Sequence, residues 1–561
     1  MIVGIDLGTT NSLVAVFQDG ESRIIQNRLG ERLTPSVVAV DEKGEVLIGR
    51  SAKEYSAIHP ERSASVFKRF MGSEKEYQLG NHKFKSEDLS ALILKSLKED
   101  AEHFLGCEVE EAVISVPAYF DDDRRKATKL AGQLAGLKVE RIISEPTAAA
   151  ITYGLYDKSQ STRFLVFDLG GGTFDVSILE LFDTILEVRA VAGDNYLGGE
   201  DFTAVIEDAI LEKLELDKEK LDSKTLSLIY EAAEEMKLRL SDEAEATVKV
   251  PVGDEDKEFT MTSHEFEEAC EPLLEKLRAP LQRSIADAHV RVSDIDEVVL
   301  VGGATRMPLI RNFIAKLFKK FPDTSVNPDE AIALGAAIQA AMKERNKEVK
   351  EVILTDVCGF TLGTEVTVDR YDGGQEAGHF SPIIERNTVI PASRTERYYT
   401  ARDNQDKVTI NVYQGESRMV HNNLLLGELT VDVPAGPKGQ EAVDVTFTYD
   451  INAILEVEVK VVSTGEMKSK IFKGRYNQMT DEEIEARMKE LAYLKLGPRD
   501  QEENKLLLVR AERAYEECIG GDRTLIAQCV QAFEEALDSR DREKILDTRR
   551  ALVEAINQTK W

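Results

Sequence analysis

The stretch Phe164–Leu179, FLVFDLGGGTFDVSIL, constrains this chain most. An apolar run ends in Asp168. Gly170, Gly171 and Gly172 follow, then Thr173 and Asp175, and alternating apolar residues resume. The pattern predicts two strands joined by a glycine-rich turn. Glycines let the backbone approach a ligand closely and aim N–H groups at it, which suits a phosphate. Asp168 and Asp175 are the residue type that holds the hydration shell of a hard cation such as Mg2+. An ordinary glycine-rich hairpin would read the same in isolation.

The same frame returns at the N-terminus. Ile2–Val16 runs from an apolar strand through Asp6, Gly8, Thr9, Thr10, Asn11 and Ser12 into a second apolar strand. A repeat at this separation predicts two related half-domains facing one another. Each half offers a hairpin and an aspartate to a shared cleft, and a nucleoside triphosphate with Mg2+ fits between them.

The chain has 561 residues, enough for about three or four domains, and 42% are hydrophobic, which excludes general disorder. The net charge of −31 argues against a nucleic-acid partner. No apolar run spans a bilayer, and the chain enters its first strand without a signal segment. The expectation is a soluble, cytoplasmic protein with no membrane contact. The five cysteines form no C-x-x-C pair and read as reduced, structural thiols; the seven histidines show no metal-ligand spacing.

Up to about Lys350 strand-like and helical segments alternate, an α/β signature. Ala112–Pro117 and Val298–Val301 read as buried strands. Asp122–Leu134 and Leu226–Leu240 read as helices, and Pro328 opens another. Arg141–Tyr153 reads as a strand end, a turn at Pro146 and an alanine-rich helix start. Glu351–Val357 reads either as one more strand or as a linker. From Cys358 to Tyr476 the period becomes two (Val408, Ile410, Val412; Val443, Val445, Phe447, Tyr449), which predicts an antiparallel sandwich. Thr480 with Glu483 forms a capping box. Helices follow to about Leu496, then over about 500–519, 523–539 and 541–558, with Gly520-Gly521 as a break.

Two nucleotide-site signatures are missing: there is no G-x-x-x-x-G-K-[ST], and no G-x-G-x-x-G after a strand. Phosphate binding then falls to hairpins. At this point Asp6–Ser12, Val116–Phe120, Ser144–Ala150, Asp168–Asp175, Gly193–Phe202, Val301–Pro308 and Asn327–Ala331, in that order, resemble the motifs of the seventy-kilodalton heat-shock chaperones, the DnaK type. Within that family the divergence and short tail resemble most the bacterial HscC branch.

The resemblance implies an actin-like ATPase domain (a duplicated ribonuclease H-like α/β fold) over residues 1–350, a linker over 351–357, a β-sandwich peptide-binding domain over 358–476 and a helical lid over 477–561. It implies an ATP-dependent chaperone that binds extended apolar segments of unfolded clients. Its hydrolysis of ATP to ADP and phosphate would be slow and stimulated by a J-domain partner. Thr9, Thr10 and Asn11 with Gly8 line one phosphate hairpin, and Gly170, Gly171, Gly172 and Thr173 the other. Thr173 is the γ-phosphate sensor. Asp6, Asp168 and Asp175 hold Mg2+ through water, with K+ as a further candidate ion. Lys68 matches the catalytic lysine and Glu145 the carboxylate that places water and metal; from its own context Lys68 reads as one surface lysine among many. Gly198, Gly199 and Glu200 belong to the nucleotide site. Glu234, Lys237 and Ser241 grip the nucleoside, with Gly302, Gly303, Arg306 and Asp329 opposite; from spacing alone Glu234 and Lys237 read as a solvated helix face. Ala304 stands where the family has serine.

For coupling, the resemblance implies Pro117 and Arg125 as an interdomain relay and Arg141 and Asp356 as J-domain docking positions. Leu354 belongs to the linker, where Thr355 breaks the usual leucine run. Thr364, Thr367, Tyr398, Ala401, Val408, Ile410 and Ile454 match the peptide groove, with threonine at positions usually aliphatic. Val250–Phe259 is short where common members project an exchange-factor loop, which leaves open whether such a factor is used. The chain stops at Trp561 without an acidic terminal motif, which speaks against tetratricopeptide adaptors; a monomer is expected. An actin-fold small-molecule kinase and an actin-like filament protein are the competing readings; neither needs the segment after Cys358.

Overall fold

The computed structural model describes residues 1–153, 162–182, 185–252, 255–346, 353–369, 374–450, 455–472, 499–518, 520–539 and 542–559. Ile454, Thr480, Glu483 and the helix expected to end near Leu496 lie outside these residues.

Two mixed sheets repeat one plan. In the first, strand Ile2–Asp6 pairs antiparallel with Asn11–Gln18, which pairs with Glu21–Ile25; Glu111–Val116 lies parallel on the other side, followed by Ile142–Ser144. In the second, Thr162–Leu169 pairs antiparallel with Phe174–Phe182, which pairs with Ile185–Asp194; Glu297–Val301 lies parallel on the other side. Each sheet carries one glycine-rich hairpin at the same place, and Asp168 pairs with Asp175 across the second. Near-continuous apolar strands such as FLVF need cover on both faces. Phe167, Phe174 and Val176 meet Phe202, Ile206 and Met236 on one side, while Phe164, Val166 and Leu179 meet Ala148 and Ile332 on the other.

Helices Glu145–Thr152 and Ala331–Lys343 pack between the two halves. Their alanines allow a close approach. A Cβ on Gly335 would lie 1.9 Å from the Ala148 carbonyl oxygen, and one on Gly4 would lie 2.1 Å from the Ala337 nitrogen. Pro146 sits in the first turn of its helix, where no N–H is needed.

Period-two patterning produces the sandwich. Leu362–Asp369, Gln375–Ile384, Lys407–Gln414 and Leu424–Asp432 form one four-stranded sheet, and Ala392–Tyr399, Ala442–Tyr449, Leu455–Val461 and Met467–Phe472 the other. Val412, Leu429, Val445, Phe447 and Val457 fill the space between them. Strand Ile353–Val357 joins both bodies. It pairs parallel with Ile185–Glu187 and antiparallel with Val389–Ile390, so residues 353–357 are a strand.

The sandwich is also tied to the α/β body by side chains. Arg386 forms a two-pronged pair with Asp287 (2.8 and 3.0 Å), and the buried Tyr449 hydroxyl donates to Asp122 at 2.6 Å. Helices Arg499–Glu517, Gly520–Ser539 and Arg542–Thr559 form a bundle around Ala511, Ile526, Phe533 and Leu552. Gly520 opens the second of these at φ +65, so the expected glycine break is a helix start. The first helix seats Val509 among Val37, Ala39, Leu47, Ala52 and Tyr55 of the N-terminal half.

Gly335→Ala forces two helices apart against backbone. It is expected to destabilise the protein by about 1–3 kcal/mol, read as a lowered midpoint in urea unfolding; an unchanged midpoint would mean the helices separate freely.

Candidate nucleotide cleft

Both hairpins face one cavity of about 650 Å3 between the sheets. Gly8, Thr9, Thr10 and Asn11 line it from one side, Gly170, Gly171 and Thr173 from the other, and Gly199 and Glu200 close the far end. The turns approach so closely that side chains are excluded. A Cβ on Gly171 would lie 1.6 Å from Thr10 Oγ1, one on Gly172 2.4 Å from Thr9 Cγ2, and one on Gly198 2.6 Å from Gly171 backbone. Gly8 faces the Asn11 carbonyl oxygen at 1.9 Å in the same sense. The Gly199 and Glu200 amides donate to the Gly170 and Gly171 carbonyls at 2.9 and 2.8 Å, locking the second turn to the next helix.

At the cavity floor four carboxylates surround one ammonium. Lys68 is only 3% exposed and its Nζ donates to Glu145 Oε1 at 2.9 Å, so the surface-lysine reading is corrected. Its turn, Phe67–Phe70, follows Val66 at φ +55, a strained conformation for a β-branched residue. Burial, then the Glu145 charge, pushes the Asp6 carboxyl up to about 7; Ser115 donates to it at 2.9 Å. Burial and Glu145 likewise push Asp175 up to about 7, although the Tyr119 amide donates to it at 3.0 Å. Asp168 is raised further, by burial and then by Glu145, Asp175 and Asp6, and its Oδ2 has no hydrogen-bond partner among the described residues. A buried acid of this kind has the chemistry to face a hard cation. Among the described residues no three acidic, histidine or cysteine side chains converge closely enough to chelate an ion directly.

At the cavity mouth Glu234, Lys237 and Ser241 face Gly302, Gly303, Arg306 and Asp329. Lys237 is not solvated: its Nζ donates to the Gly199 carbonyl at 3.1 Å and to Thr203 at 2.6 Å, and burial lowers its pKa. Glu234 pairs with Lys53 of the opposite half at 3.0 Å. Ser241 donates to the Lys237 carbonyl at 3.1 Å. Arg306 is fixed by Asp329 at 2.7 Å, and a Cβ on Gly303 would strike Asp329 Oδ1 at 2.6 Å. Gly302 adopts φ +84 with its Cβ position 2.3 Å from the Leu169 carbonyl oxygen. Asp175, Gly172 and Gly198 are not part of the lining.

Sequence reading missed several participants. Arg69 donates to the Gly172 carbonyl at 2.7 Å and pairs with Asp201 at 2.6 Å; Tyr230 donates to Glu200; Leu13, Leu33 and Leu238 line the mouth. No motif marks them, because their partners are remote in the chain.

A family model described as Hsp70 protein matches residues 2–560. This chain belongs to the Hsp70 family. It is 42% identical over 496 residues to the protein named Chaperone protein DnaK of Thermosipho melanesiensis, covering 86% of this chain and 82% of that one. It is 38% identical over 571 residues to its namesake in Thermosipho africanus, with coverage of 99% and 92%. The Thermotoga neapolitana protein of that name is 42% identical over 498 residues, with coverage of 86% and 82%. This Hsp70 is an ATP-dependent chaperone and an ATPase. The kinase reading finds no support among these relatives. Among the described residues no helix is long and apolar enough to cross a membrane.

The remaining expected positions divide. Pro117 accepts from the Phe120 amide at 3.2 Å, and Arg125 donates to the Phe120 and Ala118 carbonyls at 3.1 and 3.2 Å, bracing one loop. Arg141 is half-buried, and that desolvation lowers its pKa, with Asp356 close enough to oppose the shift. Leu354 pairs with Leu186 through the backbone. In the sandwich Tyr398 shares a hydrogen bond with Ser381 at 3.0 Å; Ala401 and Val408 are half-buried and Thr367 is exposed. Ile410 packs in the sandwich core, and the buried Thr364 hydroxyl donates to the Asn411 carbonyl at 2.9 Å. These last two are core positions in this conformation, because their strand faces the opposite sheet.

Asp6 and Asp175 keep their protons to about pH 7 when folded but only to about 3.8 when unfolded. Raising the pH between those values therefore removes stability from the ligand-free protein, and a cation that binds the charged forms restores it. The gain in Tm on adding Mg2+ with ADP is expected to be larger near about pH 7.5 than near about pH 5.5. Equal gains in calorimetry at both values would remove these carboxylates from the cation site.

Proposed function

We propose that this Hsp70 couples ATP turnover in the cleft to binding and release of extended polypeptide by the sandwich. The division is that read from the sequence: 1–350 actin-like ATPase domain, 351–357 linker, 358–476 peptide-binding sandwich, 477–561 lid. Thr9, Thr10, Asn11 and Gly170–Thr173 hold the phosphates, and Arg306 stacks on adenine, a role suited to its planar cation. Asp6, Asp168 and Asp175 hold Mg2+ through water; the ion, when bound, neutralises phosphate charge. Lys68, desolvated and aligned by Glu145, stabilises charge developing on the γ-phosphate and orients the attacking water. The orphaned Asp168 oxygen and the single buried ammonium support this assignment.

One observation carries the coupling. Asp175 accepts from the Tyr119 amide, and the Tyr119 ring packs on the Phe360 ring with centroids 4.4 Å apart. The group proposed to hold the cation is thus one residue removed from the sandwich. Arg125 braces the same loop, and Asp122, three residues after Tyr119, meets Tyr449. A shift at the γ-phosphate end is transmitted along packed, hydrogen-bonded parts. The docked strand Ile353–Val357 contains Thr355, whose buried hydroxyl has no partner among the described residues. That costs roughly 1–3 kcal/mol and makes docking readily reversible.

The sandwich binds clients by adding an extended peptide to its strands and burying an apolar side chain. A J-domain partner is proposed at Arg141 and Asp356; the HscC branch is proposed from the chain's divergence from the common members, and a cytoplasmic, monomeric protein from the family resemblance.

Lys68→Ala is expected to lower single-turnover hydrolysis by about a hundred- to a thousandfold with ATP still bound; unchanged hydrolysis would remove its catalytic role. Thr355→Val is expected to strengthen docking, read as faster release of a fluorescent apolar peptide in ATP. Slower release would reverse the linker's assigned part. Asp356→Asn is expected to abolish J-domain stimulation while basal turnover survives, and persisting stimulation would sink that docking position.

A further inference from the structure

The helix Arg499–Glu517 touches both lips of the nucleotide cleft. One lip is helix Arg50–Ile58, carrying Lys53 and Glu54; the other is helix Ser223–Arg239, carrying Glu231 and Glu234. The lips already meet through Lys53–Glu234 at 3.0 Å and through the Ser227 hydroxyl, which donates to the Ser56 carbonyl at 3.2 Å. Arg513 lies over that junction. Its Nη2 pairs with Glu231 at 3.0 Å and its Nη1 stands 3.9 Å from Glu54. Arg510 adds a contact to Glu54 at 3.5 Å, and Glu516 pairs with Lys224 on the second lip. The rest of the seat is one-sided: Val509 packs only among first-lip-side residues, and Lys505 pairs with Glu45 there at 2.9 Å.

We propose that Arg513 is a positioning residue for the nucleotide: it clasps Glu54 and Glu231 across the closed cleft and so retards nucleotide release whenever the C-terminal helices are docked. Arg513 reaches both carboxylates only while the lips are together. Opening the cleft separates Glu54 from Glu231 and makes the guanidinium give up one of them. Glu231 is half-buried, which pushes its carboxyl up, and Arg513 is the main charge opposing that shift. Losing it leaves a poorly solvated acid, so the clasp opposes opening. By linkage, nucleotide that closes the cleft favours docking of the helices to the same degree. Departure of the helices then unlocks exchange from within the chain.

The inference rests on nucleotide occupying the cleft. The test is release of ATP bearing a fluorescent methylanthraniloyl group on its ribose, chased with excess ATP, from the full chain. Arg513→Ala and Glu231→Gln, made on opposite partners, are each expected to speed release about fivefold, the scale of a partly exposed ion pair. Arg513→Lys keeps the charge and recovers most of the retention. Val509→Asp, which unseats the helix, reproduces the acceleration, and Arg513→Ala adds nothing in that background. Release at the unaltered rate in both single variants overturns the clasp, as does a full further effect of Arg513→Ala in the Val509→Asp chain. Failure of the analogue to bind at all would overturn the cleft assignment itself.

Discussion

The buried charge imbalance beneath the cavity governs this molecule. Asp6, Asp168, Asp175 and Glu145 share one ammonium, that of Lys68, in a place water hardly reaches. Carboxylates crowded in that way resist ionisation, and the folded protein tolerates them because other groups compensate. Ser115 and the Tyr119 amide each donate to one carboxylate, and the hydrated cation proposed here would supply the remaining charge. The phosphates and hydrated metal proposed for the cleft call for one fixed spacing of the two sheets. The helices Glu145–Thr152 and Ala331–Lys343 maintain it through alanine and glycine contacts that admit no larger side chain.

The rest of the architecture reads the state of that cleft. The loop after Glu111–Val116 is pinned at one end by Asp175 and at the other by the sandwich, through Tyr119 on Phe360 and Asp122 on Tyr449. The strand Ile353–Val357 lies in register with both bodies, so neither can turn without breaking backbone hydrogen bonds. Arg386 on Asp287 anchors a second corner. The C-terminal helices lie over the lips of the cleft, where Glu54 and Glu231 meet Arg513. Coupling in this Hsp70 is thus a matter of a few polar contacts at domain edges, each weak enough to be exchanged.

The sequence was most informative where function demands glycine or strict alternation. Gly171, Gly198 and Gly302 sit where any side chain would strike backbone or a hydroxyl, so the motifs that contain them were legible. Val443, Val445, Phe447 and Tyr449 announced their strand because one face of it is dry. Lys68 was not legible from its surroundings: only its match to a family motif raised it above other lysines, and its burial against Glu145 comes from a helix start 77 residues away in sequence. Lys237 was ambiguous for the same reason, since its partners Gly199 and Thr203 lie on another helix. Thr364 and Ile410, matched to a peptide groove, face inward here because the pleat of their strands directs them to the core.

By itself the sequence determined the two hairpins, the shift from α/β to period-two strands to helices, and the acids and glycines proposed as a phosphate and cation site. These follow from local steric and hydropathic rules, which act over a few residues and leave a pattern. Only the tertiary structure decided that four acids face one lysine, that Tyr119 links Asp175 to Phe360, and that Arg513 spans the lips of the cleft. Those contacts join residues tens to hundreds of positions apart, and their energies depend on burial and distance, neither of which a linear pattern records.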